Sequence, residues 1–161
     1  MILMVEGNEG TGKTTLINSL IRRSSSCLVK TGRRFKDLYN LYDMMSKSNS
    51  LYLLDRGFIT DLVYRGLDRE KGDLTLYQIG KLCGDNQSRI KIVFCYHDNS
   101  FKNSIERGED NITVEQVHNL INAEYRKYEN LIKCFTNIET MNYNYEYQSV
   151  DDVIKFMKGG D

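Results

Sequence analysis

Short apolar runs alternate with amphipathic stretches along this chain. Ile2-Leu3-Met4-Val5 is the first run, and Ser26-Cys27-Leu28-Val29-Lys30 the second. Leu51-Tyr52-Leu53-Leu54 is the third, Ile90-Lys91-Ile92-Val93-Phe94-Cys95-Tyr96 the fourth, and Phe135 to Met141 a weaker fifth. Runs of this length bounded by polar or glycine residues predict buried strands. Between them the spacing is helical. Leu16, Ile17, Leu20 and Ile21 follow the first run, and Phe35, Leu38, Tyr39, Leu41, Tyr42, Met44 and Met45 fall within residues 35–47. Further helices are predicted at 58–66, at 74–83 with Asp73 as cap, and from His97-Asp98-Asn99 to about Glu106. Thr113 with Gln116 forms the capping-box pattern for a long helix over 113–132, and Ser149 caps a last helix carrying Val150, Val153, Ile154, Phe156 and Met157.

Alternation of strand and helix predicts a parallel sheet covered on both faces, a three-layer α/β fold with five strands. No linker, repeat or low-complexity segment divides residues 1–161, so a single domain is expected. In such a sheet ligands sit at the carboxyl ends of the strands. Asp55-Arg56, His97-Asp98 and the segment after Met141 should then gather in one place.

Composition narrows the classes. Acidic and basic residues balance, 22 against 22, so bulk charge gives no argument for nucleic acid or a membrane surface. No stretch of about 18 apolar residues and no signal-peptide pattern occurs. A cytoplasmic protein without a membrane partner is the expectation. None of Cys27, Cys83, Cys95 and Cys134 forms a C-x-x-C pair, which argues against zinc. Cys27 and Cys95 lie in apolar runs and are expected to be buried thiols.

The most informative stretch is Gly7-Asn8-Glu9-Gly10-Thr11-Gly12-Lys13-Thr14, which fits G-x-x-x-x-G-K-[ST] between a predicted strand and a predicted helix. Glycines let backbone N–H groups approach phosphate oxygens, and the helix N-terminus adds unpaired donors. Lys13 can reach the β- and γ-phosphates and Thr14 can ligate Mg²⁺. The stretch through Thr15 is therefore the candidate ATP-binding loop. Asp55, ending an apolar strand, is the second candidate Mg²⁺ ligand, and Arg56 can aim a fork of donors at phosphate. Arg107, in a charged glycine-containing loop, can close on a transferring phosphoryl group, although taken alone such a loop is more often plain solvated surface. Glu9 is an acid inside a phosphate loop; it either faces an acceptor hydroxyl or is a helix N-terminal acid favoured by the dipole. Arg33, Arg34 and Phe35 can hold a phosphate and stack a base, although a basic helix start explains them equally well. Tyr143-Asn144-Tyr145 is either an edge for a purine or plain surface. His97 and His118 are isolated and receive no role.

These motifs resemble the thymidylate kinase and deoxynucleoside kinase superfamily. Val5-Glu6-Gly7-Asn8-Glu9-Gly10-Thr11-Gly12-Lys13-Thr14-Thr15 looks like the thymidylate kinase opening, and Glu6-Gly7-Asn8 also like that of the deoxynucleoside kinases. Asp55-Arg56-Gly57-Phe58-Ile59-Thr60-Asp61-Leu62-Val63-Tyr64-Arg65-Gly66 is similar to the pattern D-R-Y-x-x-S-x-x-A-Y-Q-G, and Arg107-Gly108-Glu109-Asp110 occupies the place of an arginine-bearing lid. The resemblance implies a P-loop nucleoside or nucleotide kinase fold. It implies that Lys13 and Thr14 serve ATP and Mg²⁺, that Glu9 touches the acceptor sugar, that Arg56 binds the acceptor phosphate and that Arg107 stabilises the transferring group. Thr60, Tyr64 and Arg65 would belong to the acceptor side. Arg65 stands where the family has a base-reading glutamine. Only 23 residues (32–54) separate Thr31 from Asp55, where the family has a longer segment with a helix that stacks on thymine.

The expectation is a kinase moving the γ-phosphate of ATP to a (deoxy)nucleoside monophosphate, with dTMP as the default acceptor. A kinase acting on a deoxynucleoside or on a base or end in a polynucleotide is the alternative, and only there would nucleic acid be a partner. A non-catalytic nucleotide-binding module is a third reading. A homodimer is left open.

Overall fold

A computed structural model describes residues 1–30, 38–66, 74–85, 89–108 and 114–159, with the side chains of 65 and 66 outside the description. Arg33, Arg34, Phe35, Asp73 and Thr113 therefore lie outside the described residues, as does the side chain of Arg65. The elements run β1 (Ile2–Glu6), α1 (Lys13–Arg23), β2 (Ser26–Lys30), α2 (Leu38–Lys47), β3 (Leu51–Asp55) and α3 (Phe58–Gly66). They continue α4 (Leu76–Asp85), β4 (Ile90–Cys95), α5 (Ser100–Glu106), α6 (Glu115–Phe135), β5 (Glu139–Tyr143) and α7 (Val150–Lys158). The five strands form one sheet in the order β2-β3-β1-β4-β5, and every pairing is parallel.

Alternation along the strands decides which helices cover which face. Ile2 and Met4 of β1, Leu54 of β3 and Ile92 and Phe94 of β4 point into one core, shared with Tyr42, Phe58, Leu62, Ile79, Leu82, Ile121 and Tyr125 from α2, α3, α4 and α6. Leu3, Val5, Leu53, Val93 and Cys95 point the other way, against Leu16, Ile17 and Leu20 of α1 and Val153 and Met157 of α7. Each such fully buried aliphatic side chain contributes roughly 1.5–3 kcal/mol. The sheet sits between two helical layers, as the period-two pattern implies. β1 lies at the centre, buried along its whole length. Its carboxyl end delivers residues 7–12 between the ends of β3 and β4, the position where a parallel sheet changes winding direction.

Several boundaries differ from expectation for local reasons. α4 begins at Leu76, and its start is a reciprocal Thr75–Gln78 box. The Gln78 N–H donates to Thr75 Oγ1 at 3.2 Å, and the Thr75 N–H donates to Gln78 Oε1 at 2.9 Å. α6 runs on to Phe135, and the last strand begins at Glu139 instead of Phe135. Ile132 is buried on the helix's inner face, whereas Phe135 is 75% exposed on its outer one, so the apolar run there is helical. Thr136 then closes the helix, its hydroxyl donating to the Ile132 carbonyl at 2.8 Å. Cys27 is exposed because β2 is an edge strand, while Cys95 is buried as expected. The Ser149 cap is present as a full capping box with Asp152. No helix among the described residues is long and apolar enough to cross a membrane.

Candidate active site

A cavity of about 490 Å³ opens at the carboxyl edge of the sheet, lined by Glu9, Gly10, Thr11, Gly12, Lys13, Thr14, Asp55, Arg56, Arg107 and Gly108. Three separate stretches meet here: the loop after β1, the end of β3 and the C-terminal end of α5. The convergence follows from the strand order, which puts β3 and β4 on either side of β1.

The loop after β1 is braced from behind. Asn8 does not face the cavity. Its side-chain amide donates to the His118 carbonyl at 3.0 Å, and its Oδ1 accepts the Glu9 N–H at 2.8 Å. Thr11 Oγ1 donates to the Asn8 carbonyl at 2.7 Å, and the Lys13 ammonium donates to the same oxygen. Gly10 has φ +70, and a Cβ there would lie 1.9 Å from the Ser100 carbonyl oxygen, so α5 presses directly on the loop. Only glycine meets both conditions, the left-handed backbone and the close approach. Gly12, at φ 84, precedes α1 and supports the ring of Tyr145. Thr15 is exposed on α1, its carbonyl accepting the Ser19 hydroxyl at 2.9 Å. The loop thus presents Gly10 to Thr14 and the helix N-terminus to the cavity, an arrangement suited to phosphate.

Thr14 and Asp55 line the same cavity, the hydroxyl from α1 and the carboxylate from the end of β3. One carboxylate and one hydroxyl suit Mg²⁺, which takes few protein ligands and completes its shell with water and phosphate oxygens. No cluster of three or more histidine, cysteine or acidic side chains occurs among the described residues.

Arg56 is the only non-glycine among the described residues with positive φ, at 67°. Its backbone N–H donates to the Val5 carbonyl at 3.0 Å, which ties the turn to β1. A strained backbone at a cavity wall fits a side chain whose aim matters. The guanidinium lies 3.9 Å from Glu9 Oε1 and 6.0 Å from the centre of the Tyr64 ring. Burial works against its charge, but Tyr125, Tyr64 and Glu9 outweigh that and hold it protonated. The other Glu9 oxygen is buried without a hydrogen-bond partner. Thr60 does not line the cavity. Its hydroxyl donates to Glu6 Oε2 at 2.6 Å and shares a 2.8 Å hydrogen bond with the Tyr125 hydroxyl.

Glu6 received no role from the sequence beyond its place in a motif. It is fully buried at the end of β1, and its Oε1 accepts the Ile59 N–H at 3.2 Å at the start of α3. Burial pushes its carboxyl up to about 7, against the pull of Thr60 and Arg56. The signal was an acid ending an otherwise wholly apolar strand. His118, isolated in the sequence, is buried beside the loop, with Nε2 2.9 Å from Ser100 Oγ. Burial, then the nearby Lys13 charge, lowers its pKa. His97 stacks on Tyr145 with ring centres 4.4 Å apart. Its Nε2 is 3.0 Å from Glu146 Oε1, close but not aligned as a hydrogen bond.

No protein-family model matches the chain, and no curated protein sequence does. Solved structures do. The YorR protein from Bacillus subtilis, in complex with phosphorylated GDP, superposes with a TM-score of 0.78 at 18% identity, over 99% of this chain and 94% of that one. The deoxyadenosine kinase from M. mycoides with bound dCTP gives a TM-score of 0.66 at 11% identity, over 99% and 100%. The same kinase with bound dATP gives 0.55 at 13% identity, over 99% and 98%. The chain shares the three-layer α/β fold of these structures, and its own sheet has five strands, all parallel. At these identities the likeness is one of fold.

Proposed function

We propose that this protein is an ATP-dependent kinase that transfers the γ-phosphate to a (deoxy)nucleoside monophosphate, with dTMP as the default acceptor. The observation that carries the reading is the single cavity that gathers the phosphate loop, an acidic strand end, and two arginines from opposite sides. Phosphoryl transfer needs positioning and charge stabilisation more than covalent help from the protein, and these groups supply both. Gly10 to Thr14 would bind the triphosphate through backbone N–H groups, with Lys13 leaving the Asn8 carbonyl for the phosphates. Thr14 and Asp55 would hold Mg²⁺, which neutralises charge on the donor phosphates when bound. Arg107 would add positive charge to the transferring group. Arg56 would hold an anionic group on the acceptor, and the unpartnered Glu9 oxygen would accept from an acceptor hydroxyl.

An anionic acceptor is favoured over a neutral nucleoside by Arg56. A guanidinium fixed by a strained backbone and aimed at the cavity matches a phosphate. The structural neighbours bind nucleotides, which supports a nucleotide-binding kinase, and a cytoplasmic setting fits one. A coupled assay of ADP release against a panel of nucleoside monophosphates tests the reading. Acceptor-dependent release is expected. Nucleotide binding with no acceptor-dependent turnover would contradict it and favour a non-catalytic module.

A further inference from the structure

Arg107 sits at the C-cap of α5, exposed, and no described residue pairs with its guanidinium. Its place over the cavity is therefore set by its helix. One turn earlier, the Asn103 carbonyl accepts the Arg107 N–H at 3.3 Å. The Asn103 side-chain amide nitrogen lies 2.9 Å from Tyr145 Oη and 3.3 Å from the Gly10 carbonyl oxygen. His97 Nδ1 is also 3.3 Å away, but it already accepts the Asn99 N–H at 3.0 Å. The two amide hydrogens are thus matched by two acceptors, Gly10 and Tyr145. The Tyr145 ring in turn stacks on His97 and occupies the space that a Cβ on Gly12 would take. One side chain joins the phosphate loop, the segment between β5 and α7, and the helix that ends in Arg107.

We propose that Asn103 is a positioning residue that sets Arg107 over the bound triphosphate by clamping α5 to the Gly10 carbonyl and the Tyr145 hydroxyl. The proposal rests on the reading of the cavity as a triphosphate site. Asn103 touches no reacting atom. Its effect passes through the backbone of one helical turn to Arg107, so its loss matters only while the guanidinium is present.

The test is a double-mutant cycle on equilibrium binding of a fluorescent N-methylanthraniloyl ATP with magnesium. The proteins are the wild type, Asn103→Ala, Arg107→Ala and the double variant. Arg107→Ala should weaken binding about tenfold, the range of a lost charge-assisted contact, and Asn103→Ala nearly as much. The double variant should bind no more weakly than Arg107→Ala alone. In turnover, Asn103→Ala should lower kcat while leaving the acceptor KM within about twofold, a split that general loosening of the fold would not give. Additive losses, or no loss from Asn103→Ala, would overturn the proposal. Tyr145→Phe keeps the ring stack and removes one acceptor. It should give a smaller loss that also vanishes in the Arg107→Ala background, and it decides the question if Asn103→Ala fails to fold. A wild type that binds no nucleotide would sink the triphosphate reading along with the proposal. A wild type that binds, with an additive cycle, would sink the positioning role alone.

Discussion

The two sides of the cavity are built in different ways. The side proposed to bind the donor phosphates, the phosphate side, comes from one continuous stretch, Gly10 to Thr14, and presents mainly backbone groups and a helix end. The facing side is made of side chains brought from afar. Arg56 comes from the turn after β3, and its surroundings are Glu9, Tyr64 and Tyr125. The first side is stiffened by bonds from behind, through Asn8 to α6 and through Gly10 to α5. The second is stiffened by a buried polar chain, Glu6–Thr60–Tyr125, that ties β1 to α3 and α6. Phosphate is the same in every substrate, so a backbone cradle serves it. Acceptors differ, and side chains from several elements can be exchanged one at a time without disturbing the loop.

The largest expected effect falls on the phosphate side. Lys13→Ala should cut turnover by ~10³-fold or more, with a thermal unfolding midpoint near that of the wild type. A variant that keeps even a tenth of the activity would remove Lys13 from the chemistry. Gly10→Ala should damage the fold as well. Its left-handed backbone and the 1.9 Å approach to Ser100 predict a loss of ~3 kcal/mol or more. By contrast Gly80, within α4 and with open space around it, should gain ~0.5–1 kcal/mol as alanine. Urea unfolding of the two variants measures the difference, and similar shifts would contradict the bracing of the loop by α5.

Glu6 offers a pH test of the acceptor-side scaffold. Its carboxyl lies at about 7 in the folded protein against 4.5 in the open chain, so the folded form holds the proton more tightly. Its contribution is fully present below pH 4.5 and is lost as pH rises through about 7, with no further change above. The loss over that window is at most ~3 kcal/mol. Glu6→Gln should flatten this part of the stability profile between pH 5 and 8. An unchanged slope would assign the dependence to other groups. The most selective effect falls on Arg56. Arg56→Lys should raise the acceptor KM about tenfold, through loss of the fork, and leave ATP affinity within about twofold. A matched loss on both substrates would place Arg56 on the phosphate side.

Most of the architecture was legible because it is local. The alternation of Ile2 and Met4 with Leu3 and Val5 announces a two-faced central strand, and Gly7–Thr14 announces the loop that follows it. Arg56 was legible as a cavity residue because strand ends converge in this topology, and Arg107 because its charged loop resembles an arginine-bearing lid. The bracing was not. Nothing in the sequence around His118 says that its carbonyl holds Asn8, since that bond joins residues far apart in the chain. The partners of Asn103 belong to segments that meet only after folding. Phe135 was misread because an apolar residue on the outer face of a helix end has the same local pattern as one starting a strand. Arg33, Arg34 and Phe35, readable equally as a phosphate-and-base group or as a basic helix start, lie outside the described residues.

In the proposed function, the side facing the phosphate loop holds the phosphate of an acceptor nucleotide. The most direct measurement is transfer from γ-labelled ATP to an acceptor panel, with the products identified. The panel holds nucleoside monophosphates, nucleosides, and single- and double-stranded DNA ends. The account predicts label on the terminal phosphate of a nucleoside diphosphate, and its loss in Arg56→Lys at low acceptor concentration. Label on nucleosides or DNA with none on monophosphates would contradict it.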